Sequence, residues 1–407
     1  MVLATNLNDE PFIVDQLGRQ TELLAALDTI VNAEPPLVIG VYGDWGTGKT
    51  SFMRALQALL DKNQRDNHAQ STKTDGAKYI FTRADEIFKT HPTVISEPDK
   101  KGNSKKVPLE SLLAVWFNPW QHQFEKDPIF PLIDAIRRDQ TERWTRLNAG
   151  LKTFLDDPRA RILGKVGLGL GSLISPAWLT ALTGKVGRGA KEMIDHFANF
   201  QKEFETCIEE LTRYHGGKLV IFVDDIDRCE AAYTVRILES LKLHLLNPHC
   251  IFVLGCARER VIKALTSKLT DDPGDAADYL NKIIQLPMHL PPIYERQLKG
   301  LLQAIGRADL AGNDPCVKLL HAYAGDNPRR LKRFLMWHDL EVRKVDHVKE
   351  LRGKTSMFFD DPAVFLKINL MRFVAPRHTV TLEQLMADLP GARRAEPKSE
   401  REEEASQ

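Results

Sequence analysis

The sequence predicts an α/β fold with a mainly parallel, doubly wound sheet, a helical insertion and a helical C-terminal domain. Four short apolar runs, at 37–42, 112–117, 219–223 and 251–255, lack polar–apolar alternation, which is typical of strands buried on both faces. Helical patterns separate several of these runs, as expected for strands and helices that alternate around a parallel sheet. From about Pro291 onward strand patterns end and helical patterns dominate, which indicates the C-terminal domain.

The other predicted elements follow from local patterns. Helices are predicted at 51–60, 192–214 and 233–246, and the second of these carries apolar residues at spacings of three and four. Two shorter apolar stretches, 79–81 and 283–286, are predicted as strands.

Polar segments and composition changes predict the loops and the domain organisation. The stretches 61–78 and 89–107 are polar, and the second contains two prolines, so both are predicted as loops. The end of the chain is almost wholly charged or small, which favours disorder. The chain is therefore expected to comprise a first half of the core at 11–125, a mainly helical insertion at 126–215, a second half of the core at 216–290, a helical C-terminal domain at 291–390 and a disordered tail at 391–407.

The composition narrows the class of protein. The chain has 407 residues, of which 43% are apolar, enough for a large core. A formal net charge of +1 gives no overall field that would favour nucleic acid or an anionic membrane. The five cysteines are scattered and lack C-x-x-C spacing, which indicates a reducing compartment without a disulfide framework or a zinc site. With no apolar secretory segment at the N-terminus, we expect a cytoplasmic protein. The alternative is a peripheral protein at the inner face of the cytoplasmic membrane.

A phosphate-binding pattern lies between the first predicted strand and the first predicted helix. The sequence GDWGTGKT matches G-x-x-x-x-G-K-S/T. Glycines let backbone N–H groups approach phosphates closely, and the helix N-terminus adds its positive dipole end. We expect Lys49 to reach the β- and γ-phosphates and act in catalysis, and the Thr50 hydroxyl to bind Mg²⁺. The residues expected to bind the nucleotide are Gly43, Asp44, Trp45, Gly46, Thr47, Gly48, Lys49, Thr50 and Ser51.

A second segment, 219–225, supplies two carboxylates at a strand end. Five apolar residues are followed by Asp224 and Asp225. Beside a phosphate-binding loop, this arrangement predicts that Asp224 binds Mg²⁺ and that Asp225 orients or deprotonates the attacking water. The alternative for Asp225 is an N-cap of the next helix, because Asp often caps at a strand-to-helix junction.

Two arginines near these carboxylates have open roles. Arg228 either faces a phosphate or a neighbouring subunit, or it forms an ion pair with Asp227 or Glu230, and the ion pair is favoured. After the next predicted strand, Arg258 is a better candidate for sensing the γ-phosphate than the small residues that precede it. The alternative is that Arg258 only opens the following helix.

Five segments, in this order along the chain, resemble the KAP family of P-loop NTPases. They are GDWGTGKTS at 43–51, VWFNPWQHQ at 115–123, VIFVDDIDRC at 220–229, YLNKIIQLPMHLP at 279–291 and GDNPRRLKRFL at 325–335. The first segment alone marks only a P-loop NTPase. The second, with Trp116, Asn118, Pro119 and Trp120, is more specific to the family. A place in the core at a strand end is favoured for Trp116.

The resemblance implies a P-loop core that contains an additional strand. It also implies hydrolysis of ATP or GTP, and the nucleotide is usually assumed to be ATP. It also implies a helical segment in which Arg329 or Arg330 reaches the γ-phosphate as a second sensor, and we take Arg330 as the catalytic candidate. The alternative is a solvated basic helix face that contains Arg330 and Arg333. By family analogy, the resemblance further suggests a role in bacterial defence against phage.

The segment 166–184 raises the question of a membrane. It has no charged residue and is just long enough for one span, which needs about 20 residues. A single crossing would place Lys49 and Asp224 on opposite faces of the membrane, so association through this segment is not favoured. The alternatives are a buried helical hairpin, a re-entrant or interfacial segment, and a partner-binding surface.

We therefore expect an enzyme that binds ATP with Mg²⁺ and hydrolyses it to drive a conformational switch. The alternative is a nucleotide-dependent scaffold with negligible turnover. A protein partner or a homo-oligomer is compatible with either function. Nucleic acid is not indicated, because the basic stretches 100–106 and 329–333 are its only support.

Overall fold

The computed structural model divides the chain into two compact units, which are treated separately below. The core unit is Glu10–Pro291, and the C-terminal unit begins at Pro292. The predicted neutral segment 166–184 and the predicted tail 391–407 lie outside the described residues. The structure describes residues 18–71, 75–91, 94–98, 104–125, 128–140, 202, 204–213, 215–244, 248–325, 327–352 and 361–374.

A five-stranded parallel sheet forms the centre of the core unit. Its strand order is β4-β5-β6-β1-β7, and each neighbouring pair is parallel. β6 therefore lies between β1, which precedes the phosphate-binding loop, and β5, which precedes the two carboxylates. This is the additional strand that the sequence resemblance implies. The strands are β1 Leu37–Tyr42, β4 Leu113–Phe117, β5 Leu219–Val223, β6 Cys250–Cys256 and β7 Leu286–His289, and a separate antiparallel hairpin is formed by β2 Val94–Pro98 and β3 Ser104–Pro108.

Helices cover both faces of this sheet, as the doubly wound prediction requires. Along β5, Leu219, Ile221 and Val223 face one apolar core, whereas Val220 and Phe222 face the other. The first core is closed by α5, by helical residues 204–212 and by α6, α7 and α8; the second is closed by α1, α2 and α4. The core-unit helices are α1 Gln20–Asn32, α2 Lys49–Leu60, α3 Lys62–Ser71, α4 Asp75–Thr90, α5 Ile129–Asp139, α6 Ala231–His244, α7 Arg258–Thr266 and α8 Pro273–Ile283.

Several local predictions were wrong. The stretch 61–78, predicted as a loop, contains α3 and the start of α4, and the predicted strand 79–81 lies inside α4. In α4, Ile80, Ala84 and Phe88 are buried at helical spacing, so the apolar residues of this stretch mark one helix face. Residues 89–107, also predicted as a loop, contain the β2–β3 hairpin, and the last strand begins at Leu286, after α8 ends.

The described part of the C-terminal unit is helical, as predicted for this part of the chain. Its core contains an aromatic cluster in which Tyr323, Phe334, Trp337 and Phe373 contact one another. The helices are α9 Glu295–Ala304, α10 Ala308–Ala311, α11 Asp314–Ala324, α12 Pro328–Arg352 and α13 Pro362–Val374. Among the described helices of the chain, none combines the length and the apolar character that a membrane crossing needs.

Candidate functional site: the carboxyl edge of the sheet

The strand register places the predicted site residues at one edge of the sheet. Tyr42 is level with Cys256, and Val223 is level with both Leu254 and Phe117. The residues that follow these strands therefore emerge side by side. The phosphate-binding loop leaves β1 at this edge, and the predicted metal-binding and catalytic carboxylates leave β5 at the same edge.

The phosphate-binding loop has a backbone that requires glycine. Gly46 and Gly48 have φ angles of 87° and 92°, in the left-handed region that L side chains avoid. A Cβ on Gly43 would lie 2.6 Å from Thr47 Oγ1, so this position also has no room for a side chain. The turn therefore brings successive backbone amides toward the N-terminus of α2, where an anion is favoured.

Lys49 is the first residue of α2 and is 8% exposed. Its ammonium donates to the carbonyl oxygens of Gly43 and Asp44, at 2.8 and 3.1 Å. An ammonium carries three donors, so a further donor can serve a phosphate oxygen. The Lys49 ammonium thus lies against the carbonyl groups at the start of the phosphate-binding loop.

A hydrogen bond joins the two halves of the predicted metal site. Thr50 Oγ1 donates to Asp224 Oδ2 at 2.7 Å, across 174 positions of sequence. Asp224 is 2% exposed, and burial together with the neighbouring Asp225 raises its pKa to about 6. Because the hydroxyl donates a hydrogen bond to Asp224, its lone pairs remain available to a cation. A hydroxyl and a buried carboxylate are the hard oxygen ligands that Mg²⁺ prefers, so the residues present fit this ion.

Asp225 is held by two different side chains. Asn118 Nδ2 donates to its Oδ2 at 3.2 Å, and Arg228 Nε lies 2.8 Å from its Oδ1 as an ion pair. Its φ of 62° is left-handed, a conformation that Asp tolerates better than most residues. Burial raises the pKa of Asp225, although Arg228 and Asn118 oppose this shift. Asp225 occupies the N-cap position of a short 3₁₀ turn, Ile226–Arg228, but its side chain makes no capping hydrogen bond.

The residues after Asp225 have structural partners. The ion pair that was expected between Arg228 and Asp227 or Glu230 forms instead with Asp225. Asp227 Oδ2 accepts from the backbone N–H of Ala257 at 3.2 Å, which ties this turn to the end of β6. Arg258 begins α7 and donates to Asn281 Oδ1 at 3.4 Å, so it does open the following helix.

A polar cavity of about 410 Å³ adjoins the two carboxylates. Within it, the Arg54 guanidinium lies 3.5 Å from the centre of the Trp116 ring, and Asp139 accepts from the Trp116 backbone N–H at 2.9 Å. Trp116 also stacks on Phe222 in the core, as favoured from the sequence. The lining residues are Thr50, Arg54, Trp116, Phe117, Asn118, Gln121, His122, Arg138, Asp139, Asp224 and Asp225.

Sequence reasoning missed two supports of the site. Asn118 belongs to a recognised motif, but its contact with Asp225 had no sequence signal. Arg19 is 2% exposed and donates to the carbonyl of Thr47 in the phosphate-binding loop and to that of Pro291, both at 2.8 Å. A single buried guanidinium therefore anchors the loop backbone to the end of the core unit.

The remaining predicted site residue, Arg330, lies in the C-terminal unit on α12. Its backbone N–H donates to Asn327 Oδ1 at 3.0 Å, and its exposed guanidinium donates to the carbonyl of Tyr323 at 3.3 Å. Its role as a sensor of the γ-phosphate stays a prediction.

A family model described as the KAP family P-loop domain matches residues 20–336. A curated relative, an uncharacterised protein of Methanocaldococcus jannaschii, is 44% identical over 45 residues, which are 10% of this chain and 23% of that protein. The match therefore spans less than a quarter of this relative's length.

Three solved structures resemble the chain weakly, each at 13% identity. The ORC2 protein of Aeropyrum pernix, in its ADPNP–ADP complexes, has a TM-score of 0.39. The match covers 94% of this chain and 74% of the ORC2 chain. The ORC1 protein of the same organism, in complex with DNA, scores 0.36 and covers 95% and 71%. Domain III of the replication initiation protein DnaA from Thermotoga maritima scores 0.34 and covers 90% and 99%.

Proposed function

The chain belongs to the KAP family of P-loop proteins, and on this premise we propose that it binds ATP with Mg²⁺ and hydrolyses ATP to ADP and orthophosphate. The observation that carries the proposal is the 2.7 Å hydrogen bond from Thr50 to Asp224, which joins the phosphate-binding loop to the end of β5. It supports a shared role for two motifs that the sequence separates widely.

The phosphates are bound by the loop and by Lys49. The backbone amides between Gly43 and Thr50 donate to phosphate oxygens, and the ammonium of Lys49 offsets their charge. Thr50 and Asp224 would hold Mg²⁺, which when bound neutralises charge on the phosphate oxygens. Burial keeps these groups in a low dielectric environment, where their electrostatic contributions are larger than in water.

Asp225 serves as the general base. As the oxygen of a water molecule attacks the γ-phosphorus, Asp225 takes a proton from this water, and the bond from the γ-phosphorus to the bridging oxygen of ADP breaks. The proton then passes from Asp225 to solvent as orthophosphate leaves. The raised pKa of Asp225 suits this role, because a base with a pKa nearer to neutrality accepts a proton more readily.

Phosphate release from the purified full chain tests the proposal, with ATP and GTP offered separately. Mg²⁺-dependent release is expected to fall by about 10²-fold or more in Lys49→Ala and Asp225→Asn. Lys268→Ala and Asp66→Asn are matched controls at exposed positions and should behave as the wild type. Tight ATP binding by wild type without phosphate release would overturn the enzyme and favour the scaffold.

We further propose that hydrolysis drives a conformational switch in which Arg330 senses the γ-phosphate. Limited proteolysis should then give different patterns with a non-hydrolysable ATP analogue and with ADP. Arg330→Ala should remove this difference, whereas the matched Arg333→Ala, on the next turn of the exposed surface of α12, should preserve it. The same pattern in both nucleotide states would overturn the switch.

The cellular role is proposed from the family resemblance. We propose a cytoplasmic protein that acts in bacterial defence against phage, together with a protein partner or a second copy of itself. Phage plating efficiency should drop when the wild-type chain is produced and should recover with Lys49→Ala. Pull-down with Asp225→Asn in the presence of ATP is expected to retain the partner. Equal plating efficiencies with both chains would argue against the defence role.

A further inference from the structure

Arg228 is enclosed by two tryptophans on the surface beside the site. Its guanidinium carbon lies 5.4 Å from the centre of the Trp45 ring and 5.7 Å from that of Trp120. Both rings are about half exposed, whereas the Arg228 side chain is 26% exposed. We call Trp45, Trp120 and Arg228 the tryptophan clamp. Its members come from the phosphate-binding loop, from the turn after β4 and from the turn after β5.

We propose that Arg228 is a positioning residue that holds the Asp225 carboxylate for activation of water, and that Trp45 and Trp120 hold Arg228 in place. The proposal rests on the hydrolytic function proposed above. It gives a role to Trp120 of the family-specific segment and to Trp45, which the pattern G-x-x-x-x-G-K-S/T leaves unspecified.

The geometry at Asp225 explains why a second holding group matters. Asn118 donates a hydrogen bond to Oδ2 and Arg228 forms an ion pair with Oδ1, so each oxygen of the carboxylate has a different partner that favours its present orientation. With Arg228 removed, Oδ1 loses its partner and the carboxylate can turn about its bond to the Cβ atom. A general base contributes only when it lies within hydrogen-bond reach of the proton that it accepts.

The aromatic walls explain why this position favours arginine. An arginine side chain has many rotamers, and holding one of them costs conformational entropy. A planar guanidinium can stack on indole rings, and the resulting cation–π contacts stabilise one arrangement of the side chain. Lysine would preserve the charge beside Asp225 but would lose the planar stacking.

The clamp also links the phosphate-binding loop to the base. Trp45 lies between Gly43 and Gly46, so a change in the loop backbone moves one wall of the clamp. Arg260 also lies over Trp45, at 5.1 Å from the ring centre, and so packs against the same wall of the clamp.

Steady-state kinetics of ATP hydrolysis tests the positioning role. In Arg228→Met we expect kcat to fall by about tenfold or more, while KM stays within about twofold. This loss of kcat is a part of the rate enhancement of roughly 10²–10⁴-fold that a general base supplies. Arg228→Lys should recover part of kcat, and Trp120→Leu should lower it about threefold by loosening the arginine. Arg213→Met, at an exposed position outside the clamp, should match wild type. A higher KM with unchanged kcat in Arg228→Met would show that Arg228 binds ATP directly and would overturn the proposal, as would an unchanged kcat.

A second measurement separates this inference from the proposed function. Urea midpoints are compared for Arg228→Met, Asp225→Asn and the double variant, without nucleotide. Non-additive shifts are expected, because each single change removes the same ion pair. If wild type releases no phosphate, the proposed hydrolysis is wrong. Non-additive shifts of the urea midpoint would still support the ion pair by which Arg228 holds Asp225. Additive shifts overturn the clamp whether or not the chain hydrolyses ATP.

Discussion

Buried charges behave differently in the two units of this protein. At the edge of the sheet in the core unit, burial and a neighbouring carboxylate raise the pKa of Asp224. The hydrogen bond that Thr50 donates lowers this pKa but does not offset the two effects. In the C-terminal unit, burial also raises the pKa of Glu341, but hydrogen bonds from Lys344 and Arg372 exceed this effect and lower the pKa overall. The fold therefore stabilises Glu341 as an anion, whereas it disfavours the charged form of Asp224.

This difference indicates which buried charges serve function. A carboxylate paired with cations inside the protein, such as Glu341, contributes to the structure and has little capacity for a ligand. A carboxylate whose nearby cations do not offset the effect of burial on its pKa, such as Asp224, costs stability and gains from a cation bound from solution. The comparison predicts that mutations in the two units separate activity from stability.

The largest expected effect is on activity, at Asp224. Asp224→Asn should lower Mg²⁺-dependent phosphate release by about 10²–10⁴-fold, because metal-ion stabilisation is worth several kcal/mol. In EDTA and without nucleotide, the same variant should unfold with a free energy higher by about 1–3 kcal/mol at neutral pH, because a buried charge has been removed. Urea denaturation and phosphate release measure the two quantities. Lower stability together with lower activity would show that Asp224 serves the fold.

The next effect concerns pH and the C-terminal unit. The Asn369 amide donates to His338 Nδ1 at 2.9 Å, which requires a neutral ring, and burial lowers the pKa of His338 from its usual 6.5 to about 4. Arg307 adds to this shift, whereas Asp309 and Glu341 oppose it. Because the unfolded chain binds the proton more tightly, stability is complete above about pH 6.5 and is lost as the pH falls toward about 4.

The expected loss at His338 is about 2–3 kcal/mol across this window. Urea denaturation at a series of pH values, followed by circular dichroism, would measure it against His338→Gln, in which this contribution should disappear. The same pH dependence in both proteins would assign the acid sensitivity to other groups.

A smaller loss of stability is expected at Arg307. Its side chain is 4% exposed and pairs with Asp309, at 2.9 Å, and with Asp339. Arg307→Met should lower the free energy of unfolding by about 2 kcal/mol, less than the roughly 3–5 kcal/mol for a fully buried pair, because Asp309 is 55% exposed. Phosphate release by the folded protein should not change. In the control Lys299→Met, an exposed ion pair with Asp314 is lost, so urea denaturation should show a much smaller change.

The sequence predicted what local chemistry encodes. Thr50 and Asp224 lie 174 positions apart, yet their motifs predict that both bind one Mg²⁺, and a hydrogen bond joins them in the structure. The contact between Asn118 and Asp225 spans 107 positions and was missed, because no spacing rule relates an amide after one strand to a carboxylate after another. Motif chemistry therefore predicts the candidate ligands, whereas the groups that hold the predicted residues appear only in the folded structure.

The helix α3 shows why the polar segments were predicted wrongly. Almost all its residues are polar, so hydrophobic periodicity indicated a loop. In the structure, Arg65 is 1% exposed and donates to the carbonyls of Leu59 and Glu110 and to Asp85, at 2.7 to 2.8 Å. One buried guanidinium anchors this helix, and patterns of apolar residues do not register such an anchor.

The smallest expected effect is at Arg54, which has features of both kinds of buried charge. It borders the polar cavity beside the two carboxylates, and burial lowers its pKa although Asp224 and Asp139 oppose this shift, so it resembles a functional group. However, its guanidinium stacks on Trp116 at 3.5 Å and donates to Gln57 at 3.0 Å, so its contacts within the fold are satisfied. Arg54→Met should lower the free energy of unfolding by about 1 kcal/mol and change kcat by about two- to fivefold. Arg54→Lys, which preserves the charge without the planar stack, should lose similar stability but retain kcat. A hundredfold loss of kcat at unchanged stability in Arg54→Met would instead place Arg54 with Asp224 among the groups that serve catalysis.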